Sequence, residues 1–177
     1  MEKSYKEYLQ HITTFVFDVD GVLTDGTILI TTQGEMYRTM NTKDGFALKQ
    51  AHEQGYRVCI ISGGTNEGVR KRLEGLGLTD IFLGAHHKTE TLTEYLKSNG
   101  LKRENVLFMG DDIPDLYVMQ EVGLPCCPQD SVPEIKEISK YVSHKKGGKG
   151  CVRDVIEQVL KVQGKWISNG SASAKYD

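Results

Sequence analysis

The chain has 177 residues, which is enough for one domain with a substantial core and too few for two of ordinary size. Hydrophobic residues make up 38% and charged residues 26%, a balance typical of a globular protein and not of a disordered one. With 22 Lys and Arg against 24 Asp and Glu, no overall basic field would recruit nucleic acid. The apolar runs are strand-sized, so we expect neither a signal peptide nor a membrane span.

The four cysteines indicate no metal site and no disulfide scaffold. Cys59, Cys126, Cys127 and Cys151 have neither paired metal-ligand spacing nor the density of a disulfide-rich domain. Cys59 lies inside the apolar run VCII, where a small buried hydrophobic residue is expected. A reduced, cytoplasmic location is the default expectation.

Short apolar runs alternate with helical patterns along the chain. The predicted strands are residues 15–17, 58–61, 80–84, 105–110 and 123–127. Several are almost continuously apolar, as expected of strands that are covered on both faces. The predicted helices are residues 44–55, 65–77, 88–100, 115–123, 132–139 and 151–164. This alternation predicts right-handed βαβ units, and so a Rossmann-like α/β fold in which helices flank a mostly parallel sheet.

One segment interrupts the alternation. Residues 27–40, TILITTQGEMYRTM, form two β-rich runs around a turn-like TQGE, so we expect a β-hairpin inserted after the first strand. We expect a single domain over residues 1–166. The small and polar residues 167–177 have no hydrophobic period and predict a disordered tail.

Chemically reactive residues follow four of the predicted strands. They are Asp18, Asp20 and Thr24 after the first, Ser62 and Gly63 after the second, Lys88 after the third, and Asp111, Asp112 and Asp115 after the fourth. In open α/β sheets, ligands bind beyond the carboxyl ends of the strands. We therefore expect these side chains to converge on one site.

The residue types at these strand ends suit phosphoryl transfer. Gathered carboxylates repel each other unless a cation neutralises them, and an all-oxygen ligand set suits Mg²⁺. Lys88 and the backbone N–H groups of the SGG segment would bind phosphate oxygens. A carboxylate beside the metal can attack phosphorus and form an aspartyl-phosphate. A second carboxyl, two residues on, can protonate the leaving group and then activate water.

The motifs DVDGVLTDG, IISGG, Lys88 and GDDIPD, in this order, resemble those of the haloacid dehalogenase superfamily of phosphotransferases. The resemblance implies that Asp18 is the nucleophile and Asp20 the acid and base. It places metal ligation on Asp18, on the backbone carbonyl of Asp20 and on Asp111. Further roles follow from it in the same way: Asp112 and Asp115 would support the metal, and Ser62, Gly63 and Lys88 would bind phosphate.

The gaps between these motifs are too short for a cap domain, so the chain resembles the capless sugar-acid phosphatases of the superfamily. Shared features are DVDGVLTDG, the hairpin, KDGFALK and a GGKG loop before the last helix. The resemblance implies a homotetramer that is assembled by the hairpins, in which neighbouring subunits cover each active site. It also implies a 2-keto-3-deoxy sugar-acid phosphate as substrate.

The motif-two segment departs from this subclass at one position. Phosphatases of 3-deoxy-manno-octulosonate 8-phosphate usually carry an Arg where this chain has Gly64. We therefore favour a nine-carbon nonulosonate 9-phosphate of the sialic-acid type, with the eight-carbon octulosonate ester as the alternative. Arg70, Arg72 or Lys149 are candidates for the missing positive charge.

Other residues near the motifs are open between a substrate role and a structural one. The candidates for substrate contact are Thr24, Lys43, Asp44, Gly64, Thr65 and Lys149. Asp44 is also a favourable first-turn charge for a helix. Two non-enzymatic alternatives are a phosphorylatable receiver domain, which would place its phosphoacceptor after a middle strand, and an inactive module kept for oligomerisation.

Overall fold

The computed structural model describes residues 4–167 and contains a six-stranded parallel sheet. The strands of the chain are β1 (Thr14–Phe17), β2 (Leu29–Ile30), β3 (Met36–Tyr37), β4 (Arg57–Ser62), β5 (Asp80–Leu83), β6 (Val106–Met109), β7 (Leu124–Cys127) and β8 (Tyr141–Val142). The order in the main sheet is β5-β4-β1-β6-β7-β8. Strand β1 pairs in parallel with β4 on one side and β6 on the other, so its carboxyl end lies at the centre of the sheet edge.

Helices cover both faces of the sheet. They are α1 (Tyr5–Leu9), α2 (Thr42–Glu53), α3 (Glu67–Glu74), α4 (Lys88–Asn99), α5 (Leu116–Gln120), α6 (Pro133–Ile138) and α7 (Cys151–Val162). Alternate residues of β1 point to opposite faces. Phe15 and Phe17 join the core that includes buried residues of α2 and α7, whereas Val16 joins the core under α4, α5 and α6. Burial on both faces explains why the strands are almost continuously apolar.

The predicted fold class is confirmed, including the absence of a cap domain from the described part of the chain. The five predicted strands are all present, and the four cysteines are buried and free. Two elements were not predicted, the five-residue helix α1 and the two-residue edge strand β8. Neither is long enough to show a hydrophobic period. No helix within residues 4–167 combines the length and the apolarity needed to cross a membrane.

The predicted hairpin is present, with a shorter paired region than residues 27–40. Leu29 and Ile30 of β2 pair with Tyr37 and Met36 of β3 as an antiparallel ribbon separate from the main sheet. All four of these side chains are at least 49% exposed. The predicted disordered tail, from residue 168 onward, lies outside the described residues.

Candidate active site

The turn after β1 brings the first carboxylate to the sheet edge. Asp18 follows β1 directly and accepts a hydrogen bond from the backbone N–H of Val19 at 2.6 Å. The next residues form a wide turn, closed by the Thr24 N–H, which donates to the Val19 carbonyl at 3.0 Å. Gly21 has φ +83°, and a Cβ there would lie 1.9 Å from Oδ2 of Asp111. Only glycine therefore lets the turn and the loop after β6 meet.

Lys88 offsets the desolvation penalty of two buried carboxylates. Its Nζ lies 2.9 Å from Oδ2 of Asp18 and 2.7 Å from Oδ1 of Asp115, and all three side chains are buried. Burial opposes the charged form of Lys88, but the two carboxylates outweigh it and raise the pKa of the ammonium. Lys88 is the first residue of α4, which follows β5 in the chain. Its ammonium therefore comes from a different loop than the carboxylates of Asp18, after β1, and Asp115, after β6.

Three carboxylates are placed to hold a metal ion. Asp18, Asp111 and Asp115 each offer an oxygen within 4.8 Å of the others. Asp115 is already engaged, because Oδ1 accepts from Lys88 and Oδ2 accepts from the Asp111 N–H at 3.1 Å. Asp18 and Asp111 are therefore better placed to face an ion, with Asp115 supporting them from behind. A set of carboxylate oxygens fits Mg²⁺.

The electrostatics of this cluster also favour a cation. Burial, reinforced by the charges of Asp18 and Asp115, raises the pKa of Asp111 to about 8. Burial, reinforced by Asp115, raises the pKa of Asp18 to about 6 despite the opposing effect of Lys88. Protons and a divalent cation are thus alternative ways to neutralise the same oxygens.

We expect the stability of the metal-free protein to fall as the pH rises from about 4 to about 8. Both folded-state pKa values lie above the usual value near 3.9, so the native state holds protons that the unfolded chain has released over this range. Thermal unfolding with and without MgCl₂ should show a larger Mg²⁺-induced rise in Tm at pH 8 than at pH 6. In Asp111→Asn this pH dependence should shrink. An equal shift at both pH values in the wild type would contradict the expectation.

A cleft of about 490 Å³ opens over this cluster. Its lining is Asp18, Asp20, Gly26, Ser62, Gly63, Gly64, Ala85, His86, Lys88, Asp111, Asp112, Pro114 and Asp115. All the residues predicted to have catalytic, metal-binding or phosphate-binding roles therefore lie around one opening. The Ser62 hydroxyl is buried and accepts from the Gly64 N–H at 3.3 Å, and Asp112 is exposed at the rim.

Two of the predicted substrate contacts are used within the fold instead, which corrects the expectation for them. Asp44 is buried, and its carboxylate accepts from the N–H groups of Gly150 at 3.2 Å and Arg153 at 2.8 Å, at the start of α7. The buried Thr24 hydroxyl accepts from the N–H groups of Gly21 and Gly26, each at 3.3 Å. Both side chains stabilise local structure and do not line the cleft.

Three other candidates also lie outside the cleft of the single chain. Lys43 and Lys149 line a separate groove of about 680 Å³ beside α7. Thr65 is exposed and is not part of the cleft lining. The GGKG loop supports the turn after β1, since the Gly148 N–H donates to the Val22 carbonyl at 2.9 Å. A Cβ on Gly147 would lie 1.9 Å from the Gly21 carbonyl oxygen, so this contact requires glycine.

Arg38, which binds the cleft residue Asp20, is a residue that the sequence reasoning missed. Its Nε donates to Oδ1 of Asp20 at 2.6 Å and its Nη2 donates to Oδ2 at 3.1 Å. Only 9% of its side chain is exposed, although the hairpin residues before it are largely exposed. The sequence signal that could have drawn attention to Arg38 is its position directly after a predicted apolar strand. No spacing rule, however, connects a hairpin residue to Asp20. The candidates Arg70 and Arg72 do not line the cleft.

Comparison with known proteins supports the geometry. A family model described as haloacid dehalogenase-like hydrolase matches residues 78–156. A protein of Salmonella typhi described as 3-deoxy-D-manno-octulosonate 8-phosphate phosphatase is 35% identical over 156 residues, which cover 88% of this chain and 83% of that protein. The chain belongs to the haloacid dehalogenase superfamily. Within it, the chain falls in the capless sugar-acid phosphatase subclass, a group of phosphoric monoester hydrolases, as the motifs predicted.

Solved structures agree at the level of the whole fold. A phosphatase of the same description from Yersinia pestis has a TM-score of 0.89 and 32% identity, covering 93% of this chain and 89% of its own. The Moraxella catarrhalis protein, in complex with magnesium, phosphate and a KDO molecule, has a TM-score of 0.87 and 31% identity, covering 90% and 92%. Its magnesium agrees with the predicted cofactor. The names of these relatives favour the eight-carbon alternative over the nine-carbon substrate that Gly64 suggested.

Proposed function

We propose that this chain is a magnesium-dependent phosphatase that hydrolyses 3-deoxy-D-manno-octulosonate 8-phosphate. The carrying observation is the buried Asp18–Lys88–Asp115 set, with Asp111 beside it, at the carboxyl edge of a sheet shared with phosphatases of that description. The set combines a nucleophilic carboxylate, a cation for phosphate oxygens and a metal site in one cleft.

The proposed reaction proceeds in two displacements. A carboxylate oxygen of Asp18 forms a bond to phosphorus while the bond from phosphorus to the sugar oxygen breaks, and Asp20 gives its proton to that oxygen. Asp20 then takes a proton from a water molecule as the water oxygen attacks the aspartyl-phosphate. Inorganic phosphate leaves, and Asp18 is regenerated. Both carboxylates line the same cleft, as this sequence of steps requires.

The remaining cleft residues would bind the phosphate and the metal. Lys88 and the Ser62–Gly63 segment are the proposed phosphate ligands, because their polar groups line the cleft beside Asp18. Asp18 and Asp111 would hold Mg²⁺ together with the backbone carbonyl of Asp20, and Asp115 would orient them. When bound, Mg²⁺ neutralises carboxylate and phosphate charge during the displacement. Asp112 is proposed as a further supporting group at the rim.

The substrate proposal is tested by comparing two esters. We expect kcat/KM for the eight-carbon octulosonate 8-phosphate to exceed that for a nine-carbon nonulosonate 9-phosphate by about tenfold or more, because specificity is a difference in transition-state binding. Purified protein with MgCl₂ and a phosphate-release assay would measure both values. A higher kcat/KM for the nine-carbon ester would reverse the assignment and leave the phosphatase mechanism intact.

We also propose that the hairpin assembles a homotetramer whose neighbouring subunits complete each active site. The exposed apolar side chains of the hairpin support this: Ile28, Leu29, Ile30, Met36 and Tyr37 are 40–67% exposed. A two-stranded ribbon that leaves such a surface in water is marginal on its own. Light scattering should report a tetramer for the wild type and smaller species for Leu29→Glu/Ile30→Glu. A wild-type monomer would contradict the proposal.

A further inference from the structure

We propose that Arg38 is a positioning residue that holds the Asp20 carboxylate for proton transfer and makes this placement depend on the hairpin. The inference rests on the proposed function, because it takes Asp20 as the group that moves the proton. It concerns a residue that lies outside the four sequence motifs and that the fold brings into contact with Asp20.

Arg38 and Asp20 form a bidentate ion pair. Two guanidinium nitrogens meet the two carboxylate oxygens at 2.6 and 3.1 Å. A bidentate contact with a planar guanidinium fixes the orientation of the carboxylate plane, which a single ammonium cannot do. The Asp20 side chain is 35% exposed and lines the cleft, so it is still accessible to a substrate while it is held.

The hairpin is the element that delivers Arg38. Arg38 directly follows β3, whose two strand residues are exposed. A second polar contact ties the hairpin to the motif-two loop, since Nδ2 of Asn66 donates to the Met36 carbonyl at 2.9 Å. Two polar contacts on adjacent parts of the hairpin therefore determine where the guanidinium stands relative to Asp20.

Gly64 lies beside this ion pair. A Cβ at this position would lie 3.4 Å from Oδ2 of Asp20 and 3.7 Å from Nη2 of Arg38. A side chain at residue 64 would therefore begin in ordinary van der Waals contact with the pair. In this chain the guanidinium beside Asp20 is that of Arg38 in the hairpin, and the SGG loop after β4 supplies none.

The test uses two esters of similar size that differ in their need for a general acid. Phenyl phosphate has a basic leaving group that benefits from a proton, whereas p-nitrophenyl phosphate releases a stable anion. In Arg38→Ala we expect kcat/KM for phenyl phosphate to fall about tenfold more than kcat/KM for p-nitrophenyl phosphate, because kcat/KM reports the step in which the leaving group departs. Arg38→Lys should give a smaller effect of the same kind, and Asp20→Asn a larger one.

Asn66→Asp tests the dependence on the hairpin. It removes the amide donor to Met36 but keeps the oxygen that accepts from the Val69 N–H at the start of α3. Because a loosened hairpin holds Arg38 less firmly, we expect the same preferential loss for phenyl phosphate as in Arg38→Ala, by a smaller factor.

The inference is overturned if Arg38→Ala lowers kcat/KM for the two esters by the same factor or leaves both values unchanged. Failure of the proposed function is a separate result, in which Asp18→Asn retains activity on either ester.

Discussion

Asp18→Asn abolishes turnover of every phosphate ester, with an expected loss in kcat of about a thousandfold or more. The amide cannot form the aspartyl-phosphate, and no other cleft carboxylate has the same placement beside Lys88 and the β1 end. A phosphate-release assay on octulosonate 8-phosphate and p-nitrophenyl phosphate measures the loss. The fold should persist, because the change removes a buried carboxylate whose pKa burial raises and keeps an oxygen that can accept from Val19.

Asp25→Asn is the matched control for this substitution. Asp25 lies seven residues further on, outside the cleft lining, and bonds Thr27 through one carboxylate oxygen that Asn also offers. We expect nearly wild-type rates for this variant. Circular dichroism and light scattering would establish that both variants fold and assemble. An Asp18→Asn protein with wild-type kcat would overturn the assignment of the nucleophile.

Lys88→Met is expected to lose both activity and stability, the latter by about 3 kcal/mol near neutral pH. Its removal leaves Asp18 and Asp115 as buried carboxylates without their shared cation. Protonation can replace the missing charge, so the loss of stability should be smaller at pH 5 than at pH 8. Denaturant unfolding at the two pH values, each without metal, measures the difference.

Lys97→Met provides the comparison on the same helix. Lys97 is exposed in the last turn of α4, and we expect its replacement to change the free energy of unfolding by about 0.5 kcal/mol or less. A Lys88→Met protein as stable as Lys97→Met at both pH values would show that the buried ion pairs contribute little to the fold. It would not alter the placement of Lys88 beside Asp18.

The sequence predicted the fold well because the signals that decide it are local. Continuous apolar runs such as FVF and VCII are strands with two covered faces, and the terminating glycines after several helices are local as well. The elements it missed, α1 and β8, are too short to carry a period. The hairpin was predictable for the same reason, since a turn between two β-rich runs is a local pattern.

The residues of the cleft divide along similar lines. Asp18, Lys88 and Asp111 follow strands and Ser62 is the last residue of one, so the topology of a parallel sheet is enough to bring them together. The structural role of Asp44 could not be predicted, because its partner Gly150 lies 106 residues further along the chain, beyond the range of any spacing rule. Thr24 bonds residues only two and three positions away, but these bonds depend on how its turn closes.

The sequence by itself determined the sheet, the superfamily motifs and the carboxylates at the strand ends, because each depends on short-range patterns and on one topology rule. Only the tertiary structure decided how the charges pair. Lys88 bridges Asp18 and Asp115, and Arg38 reaches Asp20 from the hairpin. Ion pairs form over a few ångströms between segments distant in sequence, so their partners are determined by packing and not by spacing.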